Sequence, residues 1–369
     1  MPVKQLNYTG PYYMKVFTIL GARPQFIKAA PVSRALEAAG IHETIVHTGQ
    51  HFDPGMSDIF FEELGIPQPT HHLGISGGGH GKMTGAMLQA LEPLLEAEAP
   101  DWVLVYGDTN STLAGALSAS KLHIPVAHIE AGLRSFNRRM PEEQNRIVTD
   151  HLADLLFTPT DAATTRLKEE GIPDERILQV GDVMFDAALY YSEYAAEKSS
   201  ALARYGLEPQ SYVLATVHRA ENTDDPFRLR AIMDGLDTTS LEIKPVVLPL
   251  HPRTRAALEY SSLKPRNIHL IDPVGYLDMV SLERHAAVII TDSGGVQKEA
   301  YFHGVPCVTL RNETEWMELV ELGWNHLAPP GYTDIALTTG QALNRIGSDA
   351  RPYGNGDAAT RIARKLLAR

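Results

Sequence analysis

Short apolar runs alternate with helix-like segments along almost the whole chain, and this alternation restricts the fold more than any other feature. "MKVFTIL" (14–20) reads as a strand, "GARPQF" as a loop, and "IKAAPVSRALEAAG" as a helix closed by Gly40. "ETIVHTG" is strand-like, and "DWVLVYG" (101–107) reads as a buried strand. "STLAGALSASKL" is a small-residue helix, "IPVAHI" a strand, "EEQNRIVTDHLA" a helix and "LLFTP" a strand. The second half repeats the pattern. "SYVLATVH" and "KPVVLPLHP" read as strands around the helix "DPFRLRAIMDGLDTT", and "NIHLID", "YLDMVSLERH", "AAVIITD", "GGVQKEAYFHG" and "VPCVTL" follow. Continuous apolar strands separated by helices predict parallel sheets covered on both faces. The expected class is therefore α/β, with two Rossmann-like, doubly wound domains. Residues 1–183 are assigned to the first domain and 184–354 to the second, with a C-terminal helix 355–369 returning to complete the first. Such sheets take a ligand in a cleft beyond the carboxyl ends of their strands.

A chain of 369 residues supports two or three domains and a large core. Its 33 basic and 45 acidic residues leave a net charge of −12, which disfavours a nucleic-acid partner but permits one local anion pocket. The single cysteine, Cys307 in "VPCVTL", permits no intrachain disulfide and suits a reducing compartment. No apolar run reaches the roughly 18 residues a membrane helix requires. The first residues, "MPVKQLNYTGPYY", have no apolar core of a secretory signal, so a cytoplasmic enzyme without a membrane partner is expected. No metal is expected either. His71 and His72 are adjacent, and no His-x-x-x-His pair lies with carboxylates on one helix face. The chain has no G-x-G-x-x-G, no G-x-x-x-x-G-K-[ST] and no G-x-S-x-G, so nicotinamide, P-loop and hydrolase-nucleophile readings have no anchor. No cofactor is expected.

Chemistry-bearing residues gather at strand ends. "FTILGARPQF" sets Arg23 and, shortly after, Lys28 behind the first strand, a natural anion site. "LVYGDTNST" sets Asp108 behind a buried strand, where it is either a functional acid or the cap of the next helix. "HIEAGLRSFNRRMPEEQNR" (128–146) holds Glu130, Glu142 and Glu143 beside Arg134, Arg138, Arg139 and Arg146. In the second half, His218 and Arg219 follow one strand, His251 another, and Ser293, Gly294 and Gly295 lie between a strand and a helix. The two glycines let backbone N–H groups approach a phosphate that the helix dipole favours. Acids on one wall and phosphate binders on the other suit a nucleoside diphosphate sugar.

"GARPQFIKAAPV", "HTGQH", "YGDTNSTLAGAL", "HIEAGLRS", "MPEEQNR", "TVHRAEN", "LPLHP" and "TDSGGVQKEA" run in the order seen in the non-hydrolysing UDP-N-acetylglucosamine 2-epimerases, and from about residue 14 onward the chain resembles that family. The resemblance implies a GT-B fold with an interdomain active-site cleft. It implies inversion at C2 of a UDP-sugar by elimination of UDP to a 2-acetamidoglucal and its re-addition. It gives catalytic roles to Asp108, Glu130, Glu142 and His218. UDP and sugar contacts fall to Arg23, Lys28, Arg134, Arg219, His251, Met279, Ser293, Gly294, Gly295 and Glu299, with Glu299 on the ribose and Met279 where many members place an aromatic beside the uracil. It further implies a UDP-sugar substrate, a homodimer, and a place in making cell-surface polysaccharide such as lipopolysaccharide O-antigen. A hydrolysing epimerase or a GT-B glycosyltransferase is the alternative. "TEWMELVELGWN" carries Trp316 and Met317 where the family has Arg-Pro. "GQHFDPGM" and "SGGGHG" differ from the family's effector segments, so activation by UDP-GlcNAc is not expected. These variants are similar to the UDP-2,3-diacetamido-2,3-dideoxyglucuronate 2-epimerases and to archaeal UDP-GlcNAc epimerases.

Overall fold

A computed structural model describes residues 13–50, 61, 65–345 and 347–368. The side chain of Arg23 and residues 51–56 of the altered effector segment lie outside the described atoms. The chain divides into two compact units, Met1–Ala187 with Pro352–Arg369, and Ala188–Arg351. The division falls inside the helix Val183–Lys198.

The first unit is built on seven parallel strands in the order β3-β2-β1-β4-β5-β6-β7. These are β1 Lys15–Leu20, β2 His42–His47, β3 His71–His72, β4 Trp102–Tyr106, β5 Val126–Ile129, β6 Leu155–Thr158 and β7 Ile177–Gln179. All five residues of β4 are buried, because helices cover both faces and no alternation is needed. The strand order reverses between β1 and β4, whose Ile19 and Val105 are in register. Helix Asn110–Lys121 lies close over that pair. A Cβ on Gly115 would come 2.8 Å from Ile19 Cδ1 and 3.0 Å from Val105 Cγ1, so small residues set the helix–sheet distance.

The first helix begins earlier than its apolar pattern suggests, at Arg23 rather than after "GARPQF". Pro24 sits in the first turn, where a missing N–H costs nothing. Gln25 folds back, and its Oε1 accepts from Gly21 N (2.8 Å) and Ala22 N (3.0 Å). Its Nε2 donates to Tyr106 O (2.8 Å) and Thr112 Oγ1 (3.0 Å), which ties the ends of β1 and β4 to two helices. Thr109, not Asp108, caps the helix Asn110–Lys121, its side chain accepting from Thr112 N.

The second unit has six parallel strands in the order β10-β9-β8-β11-β12-β13. They are β8 Val213–Thr216, β9 Val246–Pro249, β10 His269–Ile271, β11 Val288–Thr291, β12 Cys307–Thr309 and β13 Asn325–Leu327. Apolar clusters line both sheet faces, one around Val213, Val246, Val288 and Leu310, the other around Leu214, Val247, Ile289 and Cys307. The order reverses between β8 and β11, where Thr216 and Thr291 are in register with their hydroxyls 2.6 Å apart.

The helix Ala358–Leu367 packs against the helix Arg23–Ala38 through Ala358, Ala359, Ile362, Ala363 and Leu366, an apolar stripe at helical spacing. Asp186 accepts from its first N–H groups, Ala358 N (3.2 Å) and Ala359 N (2.9 Å). Burial nevertheless raises the Asp186 pKa from 3.8 to about 6, with Asp182 and Asp357 adding to the rise against the two amide donors. The folded chain therefore binds this proton more tightly than the unfolded one, and stability falls as pH rises through the window from 3.8 to about 6. The full difference corresponds to roughly 3 kcal/mol. Thermal melts between pH 4 and 7 are expected to show the wild type losing stability as pH rises and Asp186→Asn losing less.

Candidate active site

In both units the strand order reverses between two neighbouring strands. At such a switch point the carboxyl ends of the strands open a crevice that receives ligands in doubly wound sheets. Each switch point here carries charged side chains.

In the first unit, β4 is followed by Gly107, whose φ of +63° turns the chain sharply into Asp108. A Cβ on Gly107 would sit 3.3 Å from Lys28 Nζ, so glycine lets the Lys28 ammonium reach the strand end. Lys28 pairs with Glu130, each side chain being 13% exposed. Glu130 itself holds φ +70°, a left-handed conformation that a non-glycine residue adopts at a cost of about 1–3 kcal/mol. Its N–H and that of Ala131 both reach Phe157 O at 3.1 Å, which fixes the bend at the end of β5. Asp108 meets Arg146, Nη2 to Oδ2 at 2.5 Å, and its carbonyl accepts from Asn145 Nδ2 at 2.9 Å. Glu142 is exposed in the first turn of the helix Pro141–Leu152. Lys28, Gln50, His80, Asp108, Asn110 and Glu142 are among the residues lining a cavity of about 210 Å³. His80, the first residue of the helix His80–Glu98, stands 3.2 Å from the Asn110 amide and was not marked by any sequence pattern.

The dense charge of 128–146 separates into two kinds. Glu143 is buried and accepts from Ser135 N (2.8 Å), Phe136 N (2.9 Å) and Arg146 Nη1 (2.9 Å), so it anchors the loop before the helix. Burial opposes its charge, but those donors outweigh burial and hold its pKa below the usual glutamate value. Arg134 departs from its expected role as a substrate ligand. Its side chain is 1% exposed and held by Glu170 (2.8 and 2.7 Å), Asp150 (2.7 Å) and Leu133 O (2.7 Å). A guanidinium so enclosed is a strut of the fold. Arg138 and Arg139 are exposed and form no ion pair among the described residues. Beneath the ends of β4 and β5 lies His128, fully buried, with Nδ1 2.7 Å from Asp150 Oδ1 and Nε2 2.8 Å from Gly107 O.

In the second unit the organising residue is Asp292, which follows β11 and is fully buried. It accepts from His218 N (3.1 and 3.0 Å), Arg219 N (3.0 Å) and Asn222 Nδ2 (3.1 Å). His218 Nδ1 lies 3.5 Å from its Oδ1, and the imidazole is 39% exposed. Asp292 thus orients both the backbone and the ring of His218. His251 caps the helix Pro252–Ser261 and stands with its ring centroid 5.4 Å from that of His218. Burial and then the neighbouring His218 and Arg253 lower its pKa, against the pull of Asp292. Ser293 caps the helix Gly294–Phe302, whose amino end opens with Gly294 and Gly295. Glu299 lies one turn along that helix, its Oε2 4.0 Å from where a Gly295 Cβ would be. Met279 is half-buried against the apolar cluster under the helix Tyr276–His285. Sequence reasoning passed over Asp292, although an acid directly behind an apolar strand is the same signal that marks Asp108. Among the described residues no His, Cys, Asp and Glu cluster could hold a metal ion, and no helix is long and apolar enough to cross a membrane.

The family described as UDP-N-acetylglucosamine 2-epimerase matches residues 34–367. The UDP-2,3-diacetamido-2,3-dideoxy-D-glucuronate 2-epimerase of Pseudomonas aeruginosa is 54% identical over 357 residues, 96% of this chain and 99% of that protein. The UDP-N-acetylglucosamine 2-epimerase of Methanocaldococcus jannaschii is 45% identical, covering 96% of this chain and 99% of that protein. The crystal structure of an M. jannaschii UDP-GlcNAc 2-epimerase in complex with UDP-GlcNAc and UDP superposes with a TM-score of 0.85 at 44% identity, over 96% of this chain and all (100%) of that one. The Neisseria meningitidis enzyme bound to UDP-GlcNAc gives a TM-score of 0.86 at 31% identity, again over 96% and 100%. Two doubly wound units, acids at one switch point, an imidazole and a Ser-Gly-Gly turn at the other, and relatives matching from end to end agree: the chain has the GT-B type of fold and belongs to the UDP-N-acetylglucosamine 2-epimerase family.

Proposed function

We propose that this chain is a non-hydrolysing 2-epimerase of a UDP-2-acetamido sugar, and that the sugar is 2,3-diacetamido-2,3-dideoxyglucuronate. One observation carries the chemistry: Asp108, Glu142 and the Lys28–Glu130 pair gather at one switch point, while His218 and the Ser293–Gly295 turn occupy the other. The hydrogen on C2 is not α to a carbonyl, so a carboxylate alone removes it poorly. Cleavage of the C1–O bond has to run ahead. Its electron pair leaves on the diphosphate, the C2–H pair becomes the C1–C2 double bond, and the proton passes to a carboxylate. Re-addition reverses the flow with the proton delivered to the opposite face, which requires two proton-transfer groups. The acids offset positive charge growing at C1, and His218, Arg219 and the helix amino end offset negative charge growing on the departing diphosphate.

The choice of sugar rests on the relative at 54% identity and on the free cations Arg138 and Arg139, set just before Glu142. A glucuronate C6 carboxylate needs such a partner, and guanidinium meets carboxylate in two parallel hydrogen bonds. A UDP-N-acetylglucosamine 2-epimerase homolog of Methanococcus maripaludis at 53% identity and the M. jannaschii enzyme at 45% support UDP-GlcNAc as the second reading, so the arginines carry the choice. Both UDP-sugars incubated with wild-type enzyme and with Arg138→Ala and Arg139→Ala, the products followed by NMR, decide between them. The expected result is an epimerised sugar still bearing UDP, and a loss in at least one variant on the glucuronate alone. Free UDP with free sugar would instead indicate a hydrolysing enzyme, and equal losses on both sugars would remove the assignment of the arginines. A cytoplasmic homodimer completes the proposal. The chain's single cysteine, Cys307, is buried and permits no intrachain disulfide, which suits a reducing compartment.

A further inference from the structure

The loop after β12 is bolted across the amino end of the helix Gly294–Phe302. Trp316 Nε1 donates to Gly294 O at 2.9 Å, Thr314 Oγ1 donates to Gln297 Oε1 at 2.6 Å, and Gln297 Nε2 donates to Ser293 O at 3.2 Å. The Lys298 ammonium lies 4.3 Å from the Trp316 ring centroid, a cation–π contact that holds the indole in place. This loop presses Glu315 onto the Ser-Gly-Gly turn, so closely that a Cβ on Gly294 would come 2.3 Å from Glu315 Oε1.

Two arginines meet that carboxylate. Arg311 Nη1 is 2.6 Å from Oε2 and Arg219 Nη2 is 3.8 Å from Oε1, while Glu221 Oε1 stands 3.9 Å from Arg311 Nε. Burial works against the charge on Glu315, but Arg311 and, after it, Arg219 keep its pKa below the usual glutamate value. A negative charge thus rests against a helix amino end, between two guanidinium groups. Those are the elements that favour a bound phosphate.

We propose that Glu315 is a resident anion which the substrate's diphosphate displaces, and that Arg311 passes with Arg219 from Glu315 to the diphosphate on binding. The inference rests on the reading of this turn as the diphosphate site. It gives Arg311 a place in substrate binding and Glu315 a place in setting how tightly UDP is held. A non-hydrolysing epimerase has to grip UDP enough to break the C1–O bond and still return its terminal oxygen to C1. A carboxylate that competes for the same two arginines keeps that grip below its maximum.

UDP affinity measured by titration calorimetry, with steady-state kinetics, tests the exchange in Glu315→Gln, Arg311→Met, Arg311→Lys and the Glu315→Gln/Arg311→Met double variant. Glu315→Gln is expected to tighten UDP about tenfold and to lower KM and kcat together, because release slows. Arg311→Met is expected to weaken UDP about tenfold in either background, with Arg311→Lys between it and the wild type. Unchanged or weaker UDP binding in Glu315→Gln would make Glu315 a structural strut and overturn the proposal. An Arg311→Met effect that disappears in the Glu315→Gln background would do the same for Arg311. Ser293→Ala and Gly295→Val, whose added side chain clears Glu315, separate the two levels. If both bind UDP as the wild type does, the turn is not the diphosphate site. If they are impaired while Glu315→Gln is neutral, only the displacement fails.

Discussion

Glu130→Gln is expected to lower kcat roughly 100- to 10,000-fold, the range of a lost proton-transfer group, with UDP affinity nearly unchanged. The structure gives two reasons to expect an effect this large. Glu130 is held at φ +70° at the end of β5, a conformation that persists only where the surroundings impose it. It also faces Lys28 with both side chains 13% exposed, so the amide leaves an ammonium facing no charge in a poorly solvated place. Unfolding by urea is therefore expected to show a stability loss of roughly 2 kcal/mol, below that of a fully buried pair because water still reaches both groups. Lys28→Met added to Glu130→Gln removes the stranded charge. The double variant should recover much of that stability and none of the turnover. Recovery of turnover would mean that Glu130 serves only to balance Lys28.

Asp292→Asn is expected to cost the second unit on the order of 3 kcal/mol and most of its UDP affinity. Asp292 is fully buried and takes hydrogen bonds from three groups, the N–H of His218, the N–H of Arg219 and Asn222 Nδ2. Oδ2 accepts from all three groups, so an asparagine oxygen in its place must carry them with less charge, while the amide nitrogen in the place of Oδ1 is a donor set against the His218 N–H. The loss also releases the 3.5 Å contact that orients the His218 ring. Urea unfolding and UDP titration measure the two effects. His218→Gln provides the contrast, since it should weaken catalysis while keeping the backbone donors on Asp292 and hence the stability.

The sheets were legible because parallel strands buried on both faces leave unbroken apolar runs such as "WVLVY" of β4. β3, with only His71 and His72, is too short to leave a period, and in the edge strands β7 and β13 the polar Gln179, Asn325 and His326 break the apolar run. The candidate site was legible where a charged residue closely follows a strand, as for Asp108, Glu130 and His218, which the structure places at the ends of β4, β5 and β8. It was not legible where a side chain's role depends on partners far along the chain. Arg134 reads like a ligand until Asp150, 16 residues on, and Glu170, 36 residues on, enclose it. Glu142 and Glu143 are neighbours of one type, and only the donors from Ser135 and Phe136 turn Glu143 into an anchor and leave Glu142 to the cavity. Asp292 hides for the same reason, because its partners His218, Arg219 and Asn222 come from β8's loop, 74, 73 and 70 residues away.

Proton removal from the sugar ring is the step on which the roles of all three acids depend, and solvent isotope reads it directly. Wild-type enzyme in deuterium oxide, given either UDP-sugar and followed by NMR, should return a product with one deuterium on C2 and UDP still joined at C1. Epimerised product that keeps its original hydrogen on C2 would contradict elimination and re-addition at these carboxylates.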